Sequence, residues 1–120
     1  MISLNYRDPR PIYLQVKEKF RDLIVSGVLL PEEKMPSVRE IAGQLAINPN
    51  TIQRAYRELE AEGYIASVQG KGSYVCAKDE TVRMRINELK AELEQLAAEL
   101  RALGVPGDEL AGLVRGGKDE

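Results

Sequence analysis

The sequence predicts a mainly α-helical chain with one small β-wing, followed by a C-terminal antiparallel helical hairpin. Three observations carry that prediction. Apolar residues recur three or four apart in segments bounded by cap and stop residues, a glycine-rich turn at Gln69-Gly70-Lys71-Gly72 interrupts them, and a leucine heptad follows. The 120 residues and 13.4 kDa suit one compact domain with an appendage, and are too few for two domains with full cores. With no Trp and a single Phe, aliphatic side chains must carry the packing.

Each element has its own local reason. Pro9 and Pro11 stiffen the start of the chain, and Pro11 suits the first turn of a helix because its missing N–H has no intrahelical partner there. From Ile12 to Ser26, Tyr13, Val16, Phe20, Leu23 and Ile24 form one apolar stripe, and Gly27 is a natural stop. Val28 to Pro36 reads as an extended connection with a short strand at Lys34 and Met35. Ser37 and Glu40 have the spacing of a capping box, and Val38, Ile41, Ala42 and Leu45 then fall on one helical face. After a turn at Ala46 and Ile47, Asn48 caps a third helix with Pro49 in its first position. Ile52, Ala55, Tyr56 and Leu59 face its core, and Gly63 ends it.

Tyr64 to Val75 reads as a hairpin whose glycines supply positive φ angles, with Lys71 at the tip. Beyond Lys78, Val82, Ile86, Leu89, Leu93, Leu96, Leu100 and Leu103 alternate by four and three residues, a heptad seam that Gly104, Pro106 and Gly107 close. Asp108 is expected to cap a last helix carrying Leu110, Leu113 and Val114, before a fraying tail from Gly116 to Glu120. The expected domains are residues 1–78 and 79–120.

The formal net charge of -2 argues at first against an anionic partner. Its distribution reverses that argument. Up to Lys78 there are 11 Lys and Arg against 9 acidic residues, net +2, and beyond it 6 against 10, net −4. On the third helix the face opposite the apolar stripe holds Asn50, Arg54, Arg57 and Ala61, flanked by Thr51 and Gln53, while Glu58, Glu60 and Glu62 gather at its far end. Amide and guanidinium groups on a carboxylate-free N-terminal half suit insertion into a major groove. Helix, tight turn, second helix and cationic hairpin together make a winged helix-turn-helix domain.

Five motifs then make a specific pattern: Pro11-Ile12-Tyr13-Leu14-Gln15, Met35-Pro36-Ser37-Val38-Arg39-Glu40-Ile41-Ala42, Asn48-Pro49-Asn50-Thr51-Ile52-Gln53-Arg54-Ala55-Tyr56, Glu62-Gly63-Tyr64-Ile65 and Gly70-Lys71-Gly72-Ser73-Tyr74-Val75. Over residues 10–76 this resembles the winged-helix domain of GntR-family bacterial transcription regulators, and the short helical remainder resembles the family's YtrA-like subfamily. The resemblance implies that Arg39 contacts phosphate or base, that Asn50, Thr51, Gln53 and Arg54 read the major groove, and that Gly70, Lys71 and Gly72 approach the backbone or minor groove. It also implies a C-terminal segment that dimerises, and control of an adjacent ABC transporter operon. Pro49 and Gln53 stand where many members carry Arg, and Ala46 where Gly is frequent.

The seam from Val82 to Leu103 either packs inside one subunit or forms a two-fold interface, and its apolar area favours the homodimer. Two reading helices related by that symmetry would bind an inverted repeat in double-stranded DNA. The alternative is a protein-interaction module docking through its acidic C-terminal helices. With no His and one Cys, no nucleophile–base constellation, common zinc site or internal disulfide is available, so neither catalysis nor a cofactor is expected. Cys76 reads as a small strand residue, and Tyr56 and Tyr64 as core rings. No run approaches the length of a membrane span, so the expected location is the cytoplasm. The sequence assigns no small-molecule effector.

Overall fold

The computed structural model describes residues 2–116; the expected tail beyond Gly116 lies outside the described residues. The order is α1 (Ile12–Ser26), α2 (Val38–Leu45), α3 (Pro49–Ala61), β1 (Ile65–Val68), β2 (Gly72–Val75), α4 (Lys78–Ala102) and α5 (Gly107–Arg115). Two compact units divide between Arg85 and Ile86. The expected boundary after Lys78 falls at the start of α4.

The first unit is built on α3, against which α1, α2 and β1 pack. Val16, Phe20 and Ile24 of α1, Ile41 and Ala42 of α2, and Ile52, Ala55, Tyr56 and Leu59 of α3 are buried, as their spacing predicts. Phe20 and Tyr56 meet edge to face with centroids 5.6 Å apart. Burial, and secondarily the charge of Glu40, pushes the Tyr56 phenol above its ordinary pKa, and its hydroxyl donates to the Pro36 carbonyl at 2.7 Å. Tyr64 is fully buried, so both rings belong to the core. In the first turns of α4, Thr81 is buried and Met84 packs against the same cluster.

Local chemistry sets the ends of these helices. The Ser37 hydroxyl accepts the Glu40 N–H at 3.0 Å while the Glu40 carboxylate accepts the Ser37 N–H at 2.9 Å, the predicted capping box. Asn48 Oδ1 accepts the Asn50 N–H at 2.8 Å with Pro49 in the first turn. Two start positions differ from expectation. Pro11 has ψ 146° and is the N-cap of α1 rather than a helical residue. Likewise α5 starts at Gly107 behind an extended Pro106, so Asp108 lies inside the first turn, where its charge faces the helix dipole without capping. Ala46, in the turn between α2 and α3, takes φ 54° and ψ 48°, the left-handed conformation for which glycine is the usual choice.

β1 and β2 form an antiparallel hairpin with Ile65 opposite Val75 and Val68 opposite Gly72. Gly70 and Gly72 have φ of 76° and 103°, as a three-residue connection requires. The strand expected at Lys34 and Met35 is reduced to a single bridge between Lys34 and Tyr74, flanked by Met35 N–H donating to Ser73 O at 2.8 Å. Cys76 lies just past β2, with its N–H donating to the Tyr64 carbonyl.

In the second unit, residues of α4 and α5 line an apolar groove of about 360 Å³, among them Leu93, Leu96, Leu100, Leu110 and Leu113. Val82 is half-buried, whereas Ile86, Leu89, Leu93, Leu96, Leu100 and Leu103 are exposed, Leu103 to 82%. The seam is therefore not consumed within a single chain. Among the described residues no helix is long and apolar enough to cross a membrane.

Candidate nucleic-acid interface

At about 100° per residue, α3 sorts its polar side chains into three directions. Asn50 and Arg57 point away from the buried stripe, Gln53 turns toward the hairpin, and Thr51, Arg54, Glu58 and Glu62 turn toward α1. Asn50, Gln53, Arg54 and Arg57 are exposed, and Thr51 is half-buried.

Gln53 shares a notch of about 240 Å³ with Ser37 and Val38 at the start of α2 and with Lys34, Lys71 and Gly72 of the wing. The notch has two ammonium groups, one carboxamide, and the opening turn of α2, where the capping box occupies the Ser37 and Glu40 N–H groups and leaves those of Val38 and Arg39 without intrahelical partners. Such a set of donors suits phosphate oxygens and the acceptor edges of bases. Gly72 permits the close approach of Lys34, because a Cβ there would lie 3.2 Å from Lys34 Cε. Lys34 was not among the residues nominated from sequence. Its signal was the short strand: pairing with β2 brings residue 34 beside the wing glycine.

The charged side chains divide by sign. Glu40 is held in the capping box, Glu58 and Glu62 receive Lys17 Nζ at 3.2 and 2.7 Å, and Glu60 accepts the Ser67 hydroxyl at 3.0 Å. Burial works against the Lys17 charge, but the hydrogen bonds it donates to Glu62 and Glu58 outweigh that and hold the ammonium above its ordinary pKa. In contrast, no ion pair among the described residues engages Lys34, Arg39, Arg57 or Lys71. Arg39 does not pair with Glu40 or Asp22; Asp22 pairs with Arg21. Glu58 and Glu62 thus share the Lys17 charge, Glu40 and Glu60 are tied into hydrogen bonds with neutral donors, and Lys34, Arg39, Arg57 and Lys71 enter no ion pair among the described residues.

Arg54 is the exception among the nominated cations. Its guanidinium carbon lies 3.7 Å from the Tyr13 ring centroid and its Nη2 donates to the Tyr13 hydroxyl at 3.0 Å. No periodicity within α3 could reveal that partner.

Among the described residues no group of three or more His, Cys, Asp or Glu side chains is placed to hold a metal ion. Burial, then the charges of Glu80 and Glu60, pushes the Cys76 thiol pKa up, the opposite of what a reactive thiol needs.

Comparison with known proteins places this geometry. The family model for bacterial regulatory proteins of the gntR family matches residues 12–75. The chain is 36% identical over 127 aligned residues to the HTH-type transcriptional repressor YtrA of Bacillus subtilis (strain 168), covering 98% of each protein. It is also similar to a transcriptional regulator from Oenococcus oeni, with a TM-score of 0.73, 35% identity and coverage of 97% of this chain and 98% of that one. AraR(DBD) in complex with operator ORE1 matches with a TM-score of 0.55 and 34% identity, over 63% of this chain and 93% of that one.

Proposed function

The chain belongs to the GntR family of bacterial regulatory proteins, and on that premise we propose that it is a homodimeric, cytoplasmic repressor that occludes a promoter by binding an inverted-repeat operator. The observation that carries this reading is the notch, where Gln53 of α3, the start of α2 and the lysines of the wing converge beside an exposed Asn50 and Arg57. Asn50, Gln53 and Arg57 take the bases, while Arg39, Lys34, Lys71 and the backbone at Gly70 and Gly72 hold phosphates. Thr51, half-buried at the edge of that face, reaches the groove less than Asn50 does.

The exposed seam supports the dimer. A contiguous leucine face from Ile86 to Leu103, continued by Leu113 and Val114, is the surface a second copy would cover. An adjacent ABC transporter operon is the first target to test, as the YtrA-like resemblance implies.

Selection from a random DNA pool tests the reading. The expected product is a palindrome with half-sites one helical turn apart, about 10–10.5 base pairs, or a multiple of it. Recovery of no enriched sequence would refute it and favour a protein-interaction module docking through the acidic C-terminal helices.

A further inference from the structure

Tyr13 belongs to α1, not to the reading helix, yet it holds a guanidinium of α3. Arg54 stacks on its ring at 3.7 Å and donates to its hydroxyl at 3.0 Å, and Arg54 Nε lies 3.7 Å from Glu58 Oε2. Glu58 is fixed from its other side by Lys17, which also bonds Glu62. Tyr13, Arg54, Glu58, Lys17 and Glu62 therefore form one continuous chain of contacts between α1 and α3.

Reading a base edge takes two parallel N–H groups free in the plane of the base pair. Arg54 is held against α1 instead: the Tyr13 ring covers one face of its guanidinium, one Nη2 hydrogen is engaged and Nε faces a carboxylate, so its remaining N–H groups are fixed at the α1 edge of the helix. Its side chain nevertheless stays 58% exposed, so its charge reaches solvent at the α1 edge of the reading face. A fixed charge at the edge of an inserted helix suits the phosphate backbone, which carries no sequence information. Lys17 serves the same end by neutralising Glu58, whose charge would otherwise repel that phosphate.

We propose that Tyr13 is a positioning residue that holds Arg54 against α1, so that Arg54 binds a DNA phosphate flanking the major groove and leaves base readout to Asn50, Gln53 and Arg57. This rests on the DNA-binding reading above. A cation on an aromatic face with a hydroxyl partner is preorganised, and loss of the ring would leave Arg54 to pair more closely with Glu58.

The test uses the full chain with Tyr13→Phe, Tyr13→Leu, Arg54→Ala and the Tyr13/Arg54 double variants. Each is titrated by fluorescence anisotropy against the duplex enriched by selection and against a random-sequence duplex, over a salt series, with thermal unfolding to confirm the fold. Arg54→Ala is expected to weaken both duplexes by the same factor and to flatten the plot of log affinity against log salt by about 0.9. Tyr13→Leu should cause part of that loss in the parent chain and none in the Arg54→Ala background, since the two act as one unit. Tyr13→Phe, which keeps the ring, carries the same cycle if the leucine variant does not fold. Relaxed preference at one base position in Arg54→Ala would overturn the proposal, as would an undiminished Tyr13 effect without Arg54. If the unmodified chain binds neither duplex, the parent reading fails first.

Discussion

Removing both notch lysines, Lys34→Ala with Lys71→Ala, should change how binding responds to salt more than it changes which sequence is bound. Both side chains are exposed, neither enters an ion pair among the described residues, and neither belongs to the core. The fold should therefore survive. If each lysine neutralises one phosphate, each contributes about 0.9 to the slope of log affinity against log salt, and the pair contributes about 1.8. Raising salt fourfold, from about 50 to about 200 mM, should then cost the parent chain about twelvefold more affinity than the double variant. Anisotropy titrations on the selected duplex at four or more salt concentrations give the slope directly, and each single variant should fall halfway. A slope unchanged in the double variant would show that neither lysine meets a phosphate, and would remove the notch from the interface.

Four further outcomes follow from particular contacts. Ser37→Ala removes both the cap and its half of the capping box, so thermal unfolding should report a loss of about 0.5–2 kcal/mol; an unchanged midpoint would mean that α2 is held at its start by other contacts such as the Tyr56–Pro36 hydrogen bond. Ala46→Gly relieves a left-handed strain of roughly 1–2 kcal/mol at a chain-entropy cost of roughly 0.5–1 kcal/mol. Urea unfolding should therefore show a net gain of up to about 1.5 kcal/mol, and a loss would count against the observed turn. Leu96→Glu puts a charge into the exposed seam, and sedimentation equilibrium should show the mass fall from twice 13.4 kDa to 13.4 kDa; a variant that remains dimeric would place the interface elsewhere. At Cys76, a thiol pKa raised by burial and by Glu80 and Glu60 keeps the neutral form dominant to higher pH. Its alkylation by iodoacetamide should be slower in the folded than in the unfolded chain, with a rate profile displaced to higher pH, and equal rates would refute the shift.

The elements legible in the sequence are those whose ends are set by neighbours a few residues away. Ser37 and Glu40 satisfy each other across one turn, Gly27 follows the last residue of α1, and Gly70 and Gly72 supply the turn between β1 and β2. The start of α5 is displaced from its sequence expectation by two residues. Asp108 is the cap its side chain suggests, but the extended backbone at Pro106 makes the proline the N-cap and sets Asp108 inside the first turn of α5. Ala46 shows the converse. A residue without glycine's freedom accepts a left-handed turn because α2 and α3 must still cross to bury Ile41 against Ile52 and Ala55.

The sequence places the candidate residues on their elements but does not show which of them meet one another. A helical wheel sets Asn50, Arg54 and Arg57 on one face, yet only the crossing of α1 over α3 brings Tyr13, 41 residues away in sequence, onto Arg54. The same applies to Lys34, which the bridge to Tyr74 carries to the wing. The net charge of -2 misleads for the same reason. A sum counts Glu40, Glu58, Glu60 and Glu62 equally with Arg39 and Lys71 wherever they stand, whereas folding pairs Glu58 and Glu62 with Lys17 on the α1 side of α3, ties Glu40 and Glu60 into hydrogen bonds with Ser37 and Ser67, and leaves the two cations unpaired. On the proposed reading DNA would meet Lys34, Arg39, Arg57 and Lys71, and so few phosphate contacts would bind any one half-site weakly. Tight binding would then require two reading heads engaged together, and on that proposal the exposed leucines of α4 would matter to recognition as much as the polar face of α3.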